Sequence, residues 1–322
     1  MTEKEILALR IKLLTGWNIN PYRLKIVTDT SDWMNINRGD IIRIGGRDYV
    51  IRGNMREPRF GIDDQPKYWV FTAIDMVSGN EKIIKAVFNE EFNVHIGFLK
   101  IRCYRSPEKE SQVLDLVRGD NRFMQGFTFP DDKNNPVRII DYIRGQSYFH
   151  LIPSIQKTHE EFFFTELPLI LTKLKECFTA IIFLHKNGLC HGDIRNDHII
   201  VEADTGMYRW IDFDLKQDVS DFDLWSFGNI LSYTVGKGIR TFDSVLKSKE
   251  ISDEIKISLA TNDASAFYTY RIMNLKKIYP YITDRLSRLL GHFCVKPIAY
   301  YATAEEFYVD FCEMLDSDFP VH

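Results

Sequence analysis

Two aspartates stand at the ends of what reads as one hairpin. Asp193 lies in the turn His191-Gly192-Asp193, and Asp212 opens Asp212-Phe213-Asp214. Between them a β-branched run, Ile199-Ile200-Val201, leads through a polar turn to Trp210-Ile211. A chain that folds back on itself in this way delivers both carboxylates to one end. Such a pair suits one metal-holding role and one hydroxyl-orienting role. Phosphoryl transfer needs that division, because it asks a protein for positioning and charge neutralisation more than for covalent steps. Arg195 follows Asp193 by two residues, falls on the same side, and is a candidate for holding phosphate oxygens.

The elements that must position these residues can be read on both sides. Upstream, residues 167–186 place Ile170, Leu174, Cys177, Phe178, Ile181 and Leu184 on one helical face, and Asn187-Gly188 stops the helix. Downstream, 224–235 reads as a buried helix, with more helices from Ser258 onward. Before Gly145 the period is that of strands. Paired runs flank Gly45-Gly46, Ser78-Gly79-Asn80 and the polar turn 131–136, and read as three hairpins. One helix is expected within 106–123, where Val113, Leu114 and Val117 have helical spacing. At the N-terminus, Thr2-Glu3-Lys4-Glu5 reads as a capping box. The helix it starts shows Ile6, Leu9, Leu13 and Leu14 on one face and ends near Gly16.

The chain has 322 residues, 45% of them apolar, enough for one large core or two lobes. Formal charge is −4, with no basic arm, which argues against nucleic acid as a partner. The N-terminal apolar run is interrupted by Arg10 and Lys12, so membrane insertion is not expected and a cytoplasmic protein is. Five scattered cysteines without a CxxC give no zinc or redox motif and read as reduced thiols.

The motifs together resemble the protein-kinase-like superfamily. His191-Gly192-Asp193-Ile194-Arg195-Asn196-Asp197-His198 is similar to the catalytic loop H-R-D-L-x-x-x-N, and Ile211-Asp212-Phe213-Asp214 to the D-F-G metal motif. Residues 223–231 resemble the D-x-W-S-x-G helix that supports the catalytic loop. Ile83-Ile84-Lys85 looks like V-A-I-K, Glu110 holds the place of the helix glutamate that pairs with that lysine, and residues 141–145 resemble the hinge. The resemblance covers about residues 40–235 in the family's order. It implies an α+β, two-lobed protein-kinase-like fold: an antiparallel sheet lobe with one helix, then a mainly helical lobe. The divisions would be an N-terminal extension over 1–39, the first lobe over 40–140, and hinge and second lobe over 141–322. It implies ATP with Mg2+, or Mn2+, as cofactors. Asp193 would serve the acceptor hydroxyl, Arg195 the γ-phosphate, Asp212 and His198 the metal, and Lys85 the α- and β-phosphates. The backbone at Asp141 and Ile143 would bond adenine, with Ile140 behind it. Asp223 would accept from the catalytic loop's backbone, and His191 would pack on Phe213.

Three departures qualify the resemblance. Gly192 stands where protein kinases usually carry Arg, and only ten residues separate Asp212 from Asp223, so an activation segment hardly exists. The H-G-D form is similar to that of aminoglycoside and choline phosphotransferases. His198 replaces a metal-binding Asn, and imidazole suits magnesium poorly; Asp214 could supply an oxygen instead. No G-x-G-x-x-G occurs; residues 52–61 take its place, with Arg56 or Arg59 as candidates to cover phosphates. The expected activity is therefore transfer of the γ-phosphoryl group of ATP to a protein or small-molecule hydroxyl, as an atypical bacterial-type serine/threonine kinase. The alternatives are a pseudokinase acting as a binding or scaffolding module, or a small-molecule kinase.

Overall fold

The hairpins expected from the turn residues form in the computed structural model, which describes residues 1–59, 62–96, 99–217, 219, 222–297 and 299–320. In chain order the elements begin with helix α1 (Glu3–Thr15) and strands β1 (Ile26–Val27), β2 (Ile41–Ile44), β3 (Arg47–Arg59), β4 (Ile62–Asp75), β5 (Glu81–Lys85), β6 (Glu91–Ile96) and β7 (Leu99–Arg105). Helix α2 (Pro107–Leu116), strands β8 (Gly126–Pro130), β9 (Pro136–Asp141) and β10 (Gly145–Ser147), and helices α3 (Tyr148–Ser154), α4 (His159–Thr165) and α5 (Leu167–Lys186) follow. The remainder comprises β11 (Ile199–Glu202), β12 (Tyr208–Trp210), β13 (Leu215–Gln217), α6 (Phe222–Val235), α7 (Phe242–Lys247), α8 (Asp253–Ser258), α9 (Asp284–Gly291) and α10 (Ala304–Asp318). The protein is thus mixed α+β. Among the described residues no helix is long and apolar enough to cross a membrane.

Contacts divide the chain into two compact units. The first holds residues 1–90, 105–120 and 124–143, the second 91–104, 121–123 and 144–322. The first unit is built on a seven-stranded sheet in the order β1-β2-β3-β4-β5-β9-β8, antiparallel except for the β1–β2 pair. Alternate apolar residues of its strands, among them Ile42, Ile51, Phe71, Ile84 and Ile139, form one buried cluster. The β3–β4 hairpin runs well past the sequence expectation, through the charged stretch around Arg56, with register shifts after Ile51, Asn54 and Glu57. Pairing with a partner strand holds residues whose own β-propensity is weak. Helix α2 ends at Leu116, earlier than the spacing of Val117 suggested, and Gly119 turns the chain at φ 82°.

Residues 1–39 belong to this unit by packing: Ile11 and Leu24 share a core with Ile41, Val50 and Ile74. The Thr2–Glu5 capping box forms, but of the face named from the sequence only Leu14 packs inward. Ile6, Leu9 and Leu13 are 55%, 51% and 79% exposed, whereas Ala8 and Ile11 are buried and Leu7 and Leu14 pack beside them. The spacing 7, 11, 14 satisfies the helical period as well as 6, 9, 13, and only the sheet decides between them.

The second unit centres on α5, whose Phe178 meets Phe227 of α6 and Phe307 and Phe311 of α10 at ring distances of 4.6, 5.1 and 5.1 Å. A Cβ at Gly228 would lie 2.3 Å from the Phe293 ring, so glycine lets that ring reach the α6 backbone. On this helical base lies a small sheet, β10-β11-β12, in which Ile199 pairs with Trp210. Strand β10, not anticipated from the sequence, is its third member. A second unanticipated sheet, β13-β7-β6, covers Ile101, Cys103 and Leu215.

Candidate functional site

In the second unit the loop from α5 to β11 carries the first aspartate. Asp223, at the start of α6, holds it from below. Its Oδ2 accepts from the His191 amide at 2.7 Å and from His185 Nε2 at 3.0 Å, and its Oδ1 accepts from the Gly192 amide at 2.8 Å. Burial alone would raise this carboxyl, yet the bond from His185 and the nearby imidazoles hold it below the usual carboxylate range. Gly192 has φ 83°, a conformation open to glycine, and its carbonyl accepts from Gln217 Nε2 at 2.7 Å. The Asp193 amide donates to His191 Nδ1 at 3.3 Å. His191 itself lies against Phe213 and Trp210, at 4.5 and 5.0 Å between rings.

The hairpin β11–β12 returns the chain to this loop. The Ile211 amide donates to the His198 carbonyl at 3.0 Å, which sets Asp212 beside His198. Asp212 takes φ 69°, a left-handed conformation that costs a non-glycine residue about 1–2 kcal/mol and that aspartate tolerates better than most. His198 Nδ1 lies 2.7 Å from the Asp193 carbonyl oxygen and 3.7 Å from its Oδ2. A carbonyl only accepts, so Nδ1 carries the proton, and in the neutral ring Nε2 is the bare nitrogen. That nitrogen stands 3.6 Å from Asp212 Oδ2. The structure therefore brings Asp193, His198 and Asp212 together. Burial pushes the Asp193 carboxyl up, with Asp212 adding to the rise against the pull of His198 and Arg195. Arg195 is engaged elsewhere: its guanidinium makes a two-point fork with Asp197. Asp214 is buried.

In the first unit Lys85 ends β5 and Glu110 lies one turn into α2. Lys85 Nζ and Glu110 Oε1 are 2.7 Å apart, and the residues are 7% and 0% exposed. Glu108, the neighbouring acid at this helix start, instead accepts from Ser106. Ile140 is buried in β9. The Asp141 amide donates to the Gln125 carbonyl at 2.8 Å, while its carboxylate meets Lys82. Ile143 lies just beyond that strand, half-buried. On the long hairpin Arg52 pairs with Glu81 and Arg56 is exposed; the Arg59 side chain and Gly61 lie outside the described residues.

Two contributors went unnoticed in the sequence. Arg138 donates to Glu110 Oε2 at 3.1 Å from a position 1% exposed; its signal was a single charge inside the apolar run Val137-Arg138-Ile139-Ile140. Gln217 gave no signal, because its partner is a backbone carbonyl far along the chain.

Among the described residues no group of three or more His, Cys, Asp or Glu side chains is placed to hold a metal ion. Asp212 Oδ2 and His198 Nε2 set one oxygen and one nitrogen side by side. No family model matches the sequence, and no curated protein is matched by it.

Proposed function

We propose that the protein is an ATP-dependent phosphotransferase of the protein-kinase-like type that moves a γ-phosphoryl group to a hydroxyl. The observation that carries the reading is the trio Asp193–His198–Asp212 on a turn whose backbone is held by Asp223, Gln217 and His198. Asp193 accepts the proton of the acceptor hydroxyl, a role that its raised carboxyl suits. Asp212, with His198 Nε2, is the donor set for a divalent cation. When bound, that cation supplies charge neutralisation at the phosphates. Lys85, oriented by Glu110, takes the α- and β-phosphates. Adenine would be bonded by the Asp141 carbonyl rather than its amide, which Gln125 already occupies, and by the Ile143 amide. Arg195 is forked to Asp197 through Nε and Nη2, so the reading does not rest on it. The short chain between Asp212 and Asp223 leaves no peptide-docking segment, which admits a small-molecule acceptor beside a serine or threonine side chain.

A second reading, a pseudokinase that binds nucleotide without transfer, is favoured by His198 at a metal position and by the occupied Arg195. Two measurements separate them: ATP calorimetry with Mg2+, Mn2+ or EDTA, and release or transfer of labelled γ-phosphate. The proposal expects metal-dependent binding that Asp212→Ala loses, and transfer that Asp193→Ala abolishes with binding kept. Nucleotide binding with no turnover under any metal would select the second reading. Turnover that survives Asp193→Ala would refute the assignment of the base.

A further inference from the structure

We propose that Arg138 is a positioning residue that keeps the Lys85–Glu110 pair permanently assembled. The inference rests on the reading of Lys85 as a phosphate contact. Its grounds lie wholly within the first unit. Glu110 is fully buried, and its two carboxylate oxygens go to different cations: Oε1 to Lys85 at 2.7 Å, Oε2 to Arg138 Nε at 3.1 Å. The guanidinium is itself tied to the sheet, donating from Nη1 to the Pro136 carbonyl at 2.8 Å and from Nη2 to the Ala86 carbonyl at 3.2 Å. A planar fork with three fixed partners has little freedom left. Ser111, one residue beyond Glu110, adds a second tie by accepting from Thr128 Oγ1 of β8 at 2.9 Å. Helix α2 is thus fastened to β8 and β9, and swinging Glu110 away would break two buried charge-assisted bonds at once. A pair assembled by the core needs no switch.

The test is calorimetric titration with ADP and Mn2+ on the full chain, compared for the unaltered protein, Arg138→Met, Arg138→Lys, Glu110→Gln and the double variant Arg138→Met/Glu110→Gln. Affinity is taken per folded molecule, with circular dichroism giving the folded fraction. Arg138→Met is expected to weaken binding about tenfold. Arg138→Lys should recover part of the loss, and the double variant should be no weaker than the worse single one. If Arg138→Met does not fold, Arg138→Lys and the charge-neutral double variant carry the comparison. Unchanged affinity in the folded Arg138 variants overturns the brace and leaves Arg138 a stabilising residue only. Failure of the unaltered protein to bind nucleotide overturns the reading of Lys85, and the brace with it.

Discussion

The two units hold their charged groups in opposite ways. In the first, one carboxylate, Glu110, lies between two cations, Lys85 and Arg138, inside the core, side chain against side chain, and the trio keeps one net positive charge. In the second, Asp193 and Asp212 share a single imidazole, while the loop carrying Asp193 is pinned mostly through its backbone: Asp223 takes two amides, Gln217 and His198 donate to two carbonyls. Two cations on one carboxylate leave a positive charge over, which Lys85 could offer to a phosphate while Glu110 sets its position. Carboxylates meant for an outside partner are better held by groups that grip the main chain and leave their charge in place.

The comparison can be broken most severely at Glu110. Glu110→Ala removes the one carboxylate set between two buried cations and should cost about 3–5 kcal/mol, read as a lower midpoint in chemical denaturation; a loss within experimental error would mean that Glu110 does not hold the two cations together. In the second unit, Asp223→Ala removes the acceptor of two buried amides and of His185, a loss of about 2–3 kcal/mol. Turnover should fall further than nucleotide affinity, because the Asp193 loop is what loosens. Equal losses in both would place Asp223 outside the positioning role.

Acid should separate the units next. His159, stacked on Tyr279 at 3.4 Å, bonds the Val235 carbonyl and the Tyr281 hydroxyl, and burial depresses it from 6.5 to about 4. The folded ring is neutral, so its stability is complete above pH 6.5 and is lost as pH falls toward 4, about 1–2 kcal/mol at pH 5. In the first unit burial alone would raise Asp131, but bonds from Asn135 and Thr30 lower it from 3.8 to about 2. Its contribution is present above pH 3.8 and is lost only between there and about 2. Amide exchange at pH 5 should therefore accelerate around α4 before the β8–β9 turn; the reverse order would reject both assignments. The smallest effect concerns the metal. His198→Asn should shift nucleotide binding severalfold from Mn2+ toward Mg2+, since an amide oxygen replaces a nitrogen donor. Unaltered metal preference would remove His198 from the donor set.

Local chemistry explains what was legible in advance. Gly45-Gly46 and Ser78-Gly79-Asn80 announce turns by their own backbone preferences, and the strands they join follow at once. Leu167 to Lys186 carries an unbroken apolar face, and α5 has those bounds. Glu110 and Asp223 were singled out only by the resemblance, and the structure sets Glu110 against Lys85 and Asp223 against the His191 and Gly192 amides. Strands β6 and β7 pair with each other and were simply not read, but the misread face of α1, the unread strand β10 and the overlooked Arg138 share another cause. Each depends on a partner distant in sequence: α1 on the sheet, β10 on β11, Arg138 on Glu110.

The sequence by itself determined the residue types available for chemistry and the order of hairpins and helices, because turns, caps and amphipathic periods act over a few neighbouring residues. Only the tertiary structure decided that Asp212 adopts a left-handed backbone beside His198, that Gln217 grips Gly192, and that one glutamate serves both Lys85 and Arg138. Those pairings are set by burial. A charge or amide removed from water must find a partner within hydrogen-bond reach, and which partner lies there depends on how remote segments of the chain are folded together.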